Sequence, residues 1–531
     1  MPKKVDIKKN VLNHVLLNAA QYEGKANEKA VIGKVLSENP LLKKDMKKIV
    51  KIIHDVVQDV NSWSEENRGK KMDELGLKVE KKKGKDDYEL PELPNVGKKK
   101  VVMRLAPYPS GPLHIGNARM VILNDEYVKR HNGKLLLVYD DTIGSEAKGL
   151  TEDGYQLIKE GLDWLGVTIH DEHYKSDRME IFYKYAEKML EKNLAYVCVC
   201  TAEQLREDRR NKIECEHRNA TVETNLKQWK KMLDGGFKEG EVVVRLKTDM
   251  KHPNPAFRDR VLLRISNRNH VRVGNKYHVW PMLEFSWAID DHELKMTHIL
   301  RGKDLIIEDE MEIFIWDKFG WKSPEFLHYG MMKLEEAKLS KSKSRVAIEA
   351  GNLTGWDDPR TWSLQSLRRR GITPEAVRRF ILRMGMSLSD VSVPAEILYA
   401  ENRKLVDAEA KRYFAVFDPM KISITSVKQG EESDKFVSAP SHPQYSKHGK
   451  RKIPINKDTV FVEKKDYQKL KGENVGLMNL CSVKLGEKSK FLSREISMDT
   501  PKIHWISEPN VEAKIVMPNG DVNNILTEPD I

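Results

Sequence analysis

Residues 101–117 read VVMRLAPYPSGPLHIGN, and the order of chemistry along that stretch decides the fold. Val101 to Leu105 is a short apolar run of strand type, and APYPSGP is a rigid turn. From Ile115 the apolar positions Val121, Leu123 and Tyr127 predict a helix. Working outward, Leu135 to Val138 is a second apolar strand that ends on Asp140 and Asp141, and helices are expected at about 151–165 and 177–193. Strands that alternate with helices need crossover connections, so an α/β class built on a parallel sheet is expected.

The remaining segments differ in composition. Residues 1–95 read as helical and lysine-rich, with Val11, Leu12, Val15 and Leu16 at helical spacing. KKKGKDD and LPELPNVG, within residues 78–100, resist a packed core and mark a boundary. After about residue 420 the pattern changes to short β-prone runs such as TVFVEK and KIVM between polar loops, so an all-β end region is expected.

At 531 residues the chain is too long for one ordinary core, and 40% hydrophobic with 32% charged residues describes a globular chain of several domains. Lys and Arg number 92 against 80 Asp and Glu, and the net charge of +12 admits a polyanionic partner without requiring one. No export signal is legible at the N-terminus, and nowhere do 18 apolar residues run together, so no membrane partner is expected. Three of the four cysteines lie within residues 198–215, which suits a metal site in a reducing compartment better than a disulfide framework; the cytoplasm is the expected location.

Two motifs point to phosphate chemistry. Pro112 to Asn117 lies where a strand turns into a helix, and unpaired backbone N–H groups with the helix dipole favour phosphate there. His114 can donate to a phosphate oxygen, Gly116 permits close approach to the backbone, and Asn117 offers a second polar contact. Lys338, Ser340, Lys341 and Ser342 form a basic, hydroxyl-bearing loop able to neutralise a transferring phosphate. Alone, each motif reads better as its plain alternative, an exposed turn histidine or a solvated basic loop. A third motif, Cys198-x-Cys200 followed by Cys215-x-His217, supplies four ligands of the types zinc takes in closed tetrahedral sites, with buried free thiols as the alternative.

Taken together and in this order, the first two motifs resemble the HIGH and KMSKS signatures of class I aminoacyl-tRNA synthetases. RLAPYPSGPLHIGNAR, DDT at 140–142, THILRGKDL at 297–305 and GWDDPRTWSLQSLRRRGITPEAVRRF at 355–380 are similar to the archaeal type of the glutamyl/glutaminyl group. The likeness is close over about residues 10–420 and looser beyond. The sequence departs from the usual pattern at Val138-Tyr139, Ile143-Gly144 and Leu283, and HIGH reads HIGN.

The resemblance implies a Rossmann-like catalytic domain whose first half is 96–197 and second half 261–345, interrupted by an acceptor-binding insertion at 198–260. It also implies a helical extension and linker at 1–95, a helical connector at 346–420, and carboxyl-terminal β-barrels for the anticodon at 421–531. The implied reaction is glutamate activation by ATP with Mg²⁺, then transfer to tRNA-Glu by a monomeric enzyme. Charging of tRNA-Gln is left open. His114 and Lys341 would be catalytic; Gly116, Asn117, Lys338, Ser340 and Ser342 would help to bind ATP. Arg104 would meet a substrate carboxylate, Asp140 the α-ammonium, and Arg301 the γ-carboxylate. Cys198, Cys200, Cys215 and His217 would hold a structural Zn²⁺, and Arg451 is a candidate anticodon contact. The rivals are a glutaminyl enzyme, against which Arg301 counts, and a catalytically silent tRNA-binding protein, against which His114 and Lys341 count.

Overall fold

A computed structural model describes residues 7–21, 25–28, 31–32, 34–35, 46–77, 90–98, 100–144, 149–335, 340–425, 435–456 and 458–530. The chain divides into two units, Met1–Glu89 and Leu90–Ile531. The first holds helices α1 (Ile7–Gln21), α2 (Met46–Ser62) and α3 (Glu65–Glu74). Their shared core takes Val11, Val15 and Ala19 from α1 and Ile49, Ile53, Val57 and Val60 from α2, in each helix one face at a spacing of three or four residues. Ser64 starts α3 by accepting a hydrogen bond from the Asn67 N–H, which satisfies one of the helix's unpaired donors.

In the second unit, β1 (Val102–Leu105) leads through the turn into α4 (Ile115–Arg130) and back to β2 (Lys134–Tyr139), which pairs with β1 in parallel. Helix α5 (Glu152–Trp164) crosses to β3 (Asp171–Tyr174), parallel to β2. Two later strands, β8 (His298–Gly302) and β9 (Glu325–Tyr329), are also parallel to each other. Thr297, just before β8, donates its N–H to the Val102 carbonyl at 3.0 Å and sets β8 beside β1. The spatial order is therefore β3-β2-β1-β8-β9. The winding reverses between β1 and β8, and open α/β sheets bind their ligands at such a reversal, outside the carboxyl ends of the strands. The expected α/β class with a parallel sheet is borne out.

Between the two halves stand α6 (Met179–Glu191) and an antiparallel sheet of β4 (Ala195–Cys198), β5 (Val243–Leu246), β6 (Val261–Ile265) and β7 (Val279–Pro281). This sheet runs from 195 to 281, past the expected limits of 198–260 at both ends, because β4 and β7 are its edge strands. Helices α7 (Ala202–Asn211) and α8 (Val222–Leu233) fill the β4–β5 connection. Helix α9 (Leu283–Glu293) then returns the chain to the parallel sheet, and α10 (Ile306–Phe319) crosses from β8 to β9.

After β9 come β10 (Met332–Leu334), α11 (Lys341–Glu349), α12 (Leu364–Arg369), α13 (Pro374–Arg383), β11 (Val391–Val393) and α14 (Ala395–Val406). Beyond residue 415 the structure is mainly strand, as expected: a seven-stranded sheet, a three-stranded antiparallel sheet and a two-stranded hairpin. Period-two burial, as at Val460 and Val462, packs one core here. No helix among the described residues is long and apolar enough to cross a membrane.

Candidate active site

His114 is the residue from which α4 starts. Its Nδ1 accepts from the Asn117 N–H at 3.3 Å, while the Asn117 side-chain oxygen accepts from the His114 N–H at 3.2 Å. This reciprocal cap gives the fourth letter of HIGN a physical reason, because asparagine closes the box. It also fixes the tautomer: with Nδ1 accepting, the proton of the neutral ring sits on Nε2, which is then a donor. Burial, reinforced by the nearby Lys341 charge, holds the imidazole far below its ordinary range, at about 3, so it is neutral at pH 7. Gly116 lies in the first turn of the same helix.

The second motif lies against this turn. Lys341 Nζ is 3.4 Å from the Gly111 carbonyl it donates to, and Arg345, one helical turn on, donates to the Ser110 carbonyl. Gly111 has φ +131°, and a Cβ there would meet Trp356 at 3.0 Å, so glycine is required. The expectation of a loop is corrected at Lys341 and Ser342. They open α11, with Ser340 as the cap accepting from the Lys343 N–H at 3.4 Å. The physical reason is local, since a Ser cap satisfies a helix start better than a loop. Lys338 lies outside the described residues.

Arg104 and Arg301 meet at the winding reversal, near the carboxyl ends of β1 and β8. Both guanidiniums are buried and lie over the Trp287 ring, at 4.9 and 4.8 Å from its centroid, with Lys175 Nζ at 5.2 Å. Arg104 forms a bidentate pair with Asp291, 2.5 Å from Nε and 2.8 Å from Nη2. Arg301 is not left to a ligand alone, as the sequence reading had it. Its Nε donates to Asp309 Oδ1 at 2.7 Å, and its Nη2 to Asp309 and to Glu312 Oε1, the latter at 2.8 Å. Its Nη1 is buried with no hydrogen-bond partner among the described residues, so that edge of the fork remains for a ligand. Burial pushes the Glu312 carboxyl up to about 8, against the pull of Arg301.

Asp140 is likewise already paired, 2.9 Å from the buried ammonium of Lys175, which donates to Ser286 Oγ at 2.8 Å. Its neighbour Asp141 is structural: it accepts from Ser176 N–H and Oγ and from Tyr155. Sequence reasoning missed Lys175, Trp287, Asp291, Asp309 and Glu312. A signal existed for four of them. Trp287 and Asp291 are four apart on α9, and Asp309 and Glu312 three apart on α10, spacings that put each pair on one helix face.

Arg451 lies in the strand Lys450–Pro454. Its side chain is only 9% exposed and pairs with Glu528 at 2.8 Å, with Phe414 beneath it at 5.0 Å. A guanidinium so engaged helps to hold the end strands together.

The cysteine motif does converge. The ligand atoms of Cys198, Cys200, Cys215 and His217 all lie within 4.8 Å of one another. The Cys198–Cys215 sulfurs are 3.8 Å apart, and His217 Nδ1 lies 3.3 Å from the Cys200 sulfur and 3.9 Å from that of Cys198. Zinc bonds of about 2.3 Å to sulfur and about 2.0 Å to nitrogen give tetrahedral edges of roughly 3.8 and 3.5 Å, so the residues fit the ion. Arg245, fully buried, points Nη1 at Cys215 from 3.5 Å, where it offsets thiolate charge.

Comparison with known proteins completes the picture. Residues 100–407 match the family model described as tRNA synthetases class I (E and Q), catalytic domain, and residues 410–498 match its anti-codon binding domain. A glutamate–tRNA ligase of Pyrococcus furiosus is 43% identical, with 97% of this chain and 92% of that protein covered. One of Methanocaldococcus jannaschii is 41% identical, with 99% and 94% covered. A crystal structure of a glutamate tRNA ligase from Elizabethkingia meningosepticum in complex with its amino acid is 21% identical, with a TM-score of 0.43, over 59% of this chain and 70% of that one. With its parallel sheet, its two converging motifs and a family match over most of its length, the chain belongs to the class I tRNA synthetases of the glutamate and glutamine group.

Proposed function

We propose that the chain is a glutamate–tRNA ligase. The observation that carries the choice of amino acid is the free Nη1 edge of Arg301, buried against Trp287 where the sheet reverses its winding. A guanidinium edge matches a γ-carboxylate and gains little from a neutral amide, which favours glutamate over glutamine.

In the first step the glutamate α-carboxylate attacks the α-phosphorus of ATP, a P–O bond forms, and pyrophosphate leaves. His114 donates from Nε2 to a phosphate oxygen, and Lys341, across the same turn, offsets the charge that builds during transfer. Mg²⁺ accompanies ATP and shares that neutralisation. In the second step the terminal ribose 2′-hydroxyl attacks the mixed anhydride and AMP leaves. Gly116, Asn117, Ser340, Ser342 and Lys338 complete the nucleotide site in this reading, Asp140 with Lys175 orders the amine side, and Arg104 serves a substrate carboxylate. The antiparallel sheet at 195–281 is assigned to the acceptor end and the β-rich end region to the anticodon.

The test is charging of purified tRNA-Glu and tRNA-Gln with labelled glutamate and, separately, labelled glutamine. Glutamyl-tRNA is the expected product. Charging with glutamine alone would establish the rival enzyme, and no product with either would establish a silent binder. The tRNA-Gln arm decides whether the enzyme serves one tRNA or two.

Cys198, Cys200, Cys215 and His217 would hold one structural Zn²⁺, closing the β4 end of the antiparallel sheet. Metal analysis should find about one zinc per chain. Cys215→Ser should lose it and lower the melting temperature; a metal-free wild type of unchanged stability and activity would refute the site.

A further inference from the structure

We propose that Glu312 is a proton-dependent positioning residue: the γ-carboxylate seats on Arg301 only while Glu312 is a neutral acid, and ionisation of Glu312 expels it. The inference rests on the reading of Arg301 as the γ-carboxylate partner.

Arg301 has five N–H donors, and three of its hydrogen bonds run to Asp309 and Glu312 along Nε and Nη2. Among the described residues only the Nη1 edge is uncommitted. The two acids differ. Asp309 Oδ1 accepts from Arg301, and its Oδ2 lies 2.5 Å from His328 Nε2. Glu312 uses Oε1 alone; its Oε2 is buried without a hydrogen-bond partner among the described residues. An unpartnered carboxylate oxygen in a buried site is costly, whereas an O–H there is a donor awaiting an acceptor. A substrate carboxylate at Arg301 would provide that acceptor.

The charges around Glu312 point the same way. Arg301 on β8 and Arg104 on β1 are the cations facing it; Asp291 on α9 and Asp309 on its own helix are the anions, with His328 on β9 beyond Asp309. If every acid is ionised, two guanidiniums already face three carboxylates, and the γ-carboxylate would be a fourth. Such an excess of buried charge is relieved by protonation. Glu312 is the acid that burial has already displaced towards neutrality, while Arg301, its strongest opposing influence, is the group the substrate would share.

The direction follows from linkage. When the protonated form binds, KM for glutamate is flat at low pH and rises up to about tenfold per pH unit once Glu312 ionises in the free enzyme. The experiment is charging of tRNA by the full-length enzyme at saturating ATP and tRNA, with L-glutamate titrated between pH 6.5 and 9. For the wild type KM should rise above pH 8 while kcat changes little. Glu312→Gln, which mimics the neutral acid, should lose the rise. A flat wild-type KM, or a Glu312→Gln enzyme with the wild-type rise, overturns the proposal. Should that variant not fold, calorimetry of L-glutamate binding to the wild type in two buffers of different ionisation enthalpy at pH 8.5 decides: uptake of about one proton supports it and none overturns it. The Arg301 reading fails separately, if an Arg301 variant loses glutamate and glutamine by one factor.

Discussion

Charging with glutamate should collapse in Arg301→Cys, by roughly 30-fold to several thousand-fold in kcat/KM, the equivalent of about 2 to 5 kcal/mol for a charge that loses its hydrogen-bonded partner on burial. Glutamine should lose much less, because its amide never needed the guanidinium, so the ratio of the two specificity constants should move towards glutamine. The structure adds a second consequence. Arg301 also separates Asp309 from Glu312, both buried, and its removal leaves two acids facing each other. Glu312, already inclined to be neutral, can absorb that strain by taking a proton, so the variant should be more stable at pH 6.5 than at pH 8.5. The sign is that of an acid raised in the folded state, whose neutral form favours folding and whose advantage is lost as pH rises. Activities are therefore compared at pH 6.5 after melting curves confirm a folded variant. Equal losses for glutamate and glutamine would make Arg301 a structural residue and remove the main argument for glutamate.

What the sequence made legible is what neighbouring residues decide. The strand, turn and helix of residues 101–130 show in local periodicity, and the zinc-type cluster shows because all four ligands fall within 20 residues. The reversal of winding at β1 and β8 was not legible, because it rests on a pairing between Val102 and Thr297, 195 residues apart. Partners of buried charges were hidden for the same reason: Arg104 meets Asp291 across 187 residues. A sequence lists ions, but it does not say which of them are already neutralised. For Arg104, Asp140 and Arg301 the sequence allows either a substrate contact or a structural salt bridge, and the fold gives each an internal counter-charge. Arg451 is a further case, a basic residue in a polar-looking stretch whose counter-charge, Glu528, lies 77 residues away. HIGN is the reverse case, in which a departure from a pattern proves to be a helix cap.

Lys341→Ala should lower adenylate formation by about a hundredfold to a thousandfold, the usual loss when one electrostatic donor to a transition state is removed. The measurement is glutamate-dependent ATP–pyrophosphate exchange with tRNA present, beside tRNA binding, which should change little because the charge is needed while the phosphate reacts. Stability supplies the contrast. Lys341 is the first residue of α11 and Lys343 the third, so both cations sit at the positive end of the helix dipole. Such a placement commonly costs about 0.3 to 1 kcal/mol per charge at an exposed helix start. The contact from Nζ to the Gly111 carbonyl is long, at 3.4 Å. A helix that began here for its own stability would start with Asp or Glu, whereas one built to meet a polyphosphate gains from adding lysine to the dipole. The loss of exchange activity in Lys341→Ala should thus far exceed any change in its melting temperature. His114 should not confound the result, because burial is the larger cause of its depressed titration and keeps the ring neutral, with its Nδ1 still committed to the Asn117 N–H. Unchanged exchange would remove Lys341 from the active site, and a large fall in melting temperature would make it a structural residue instead.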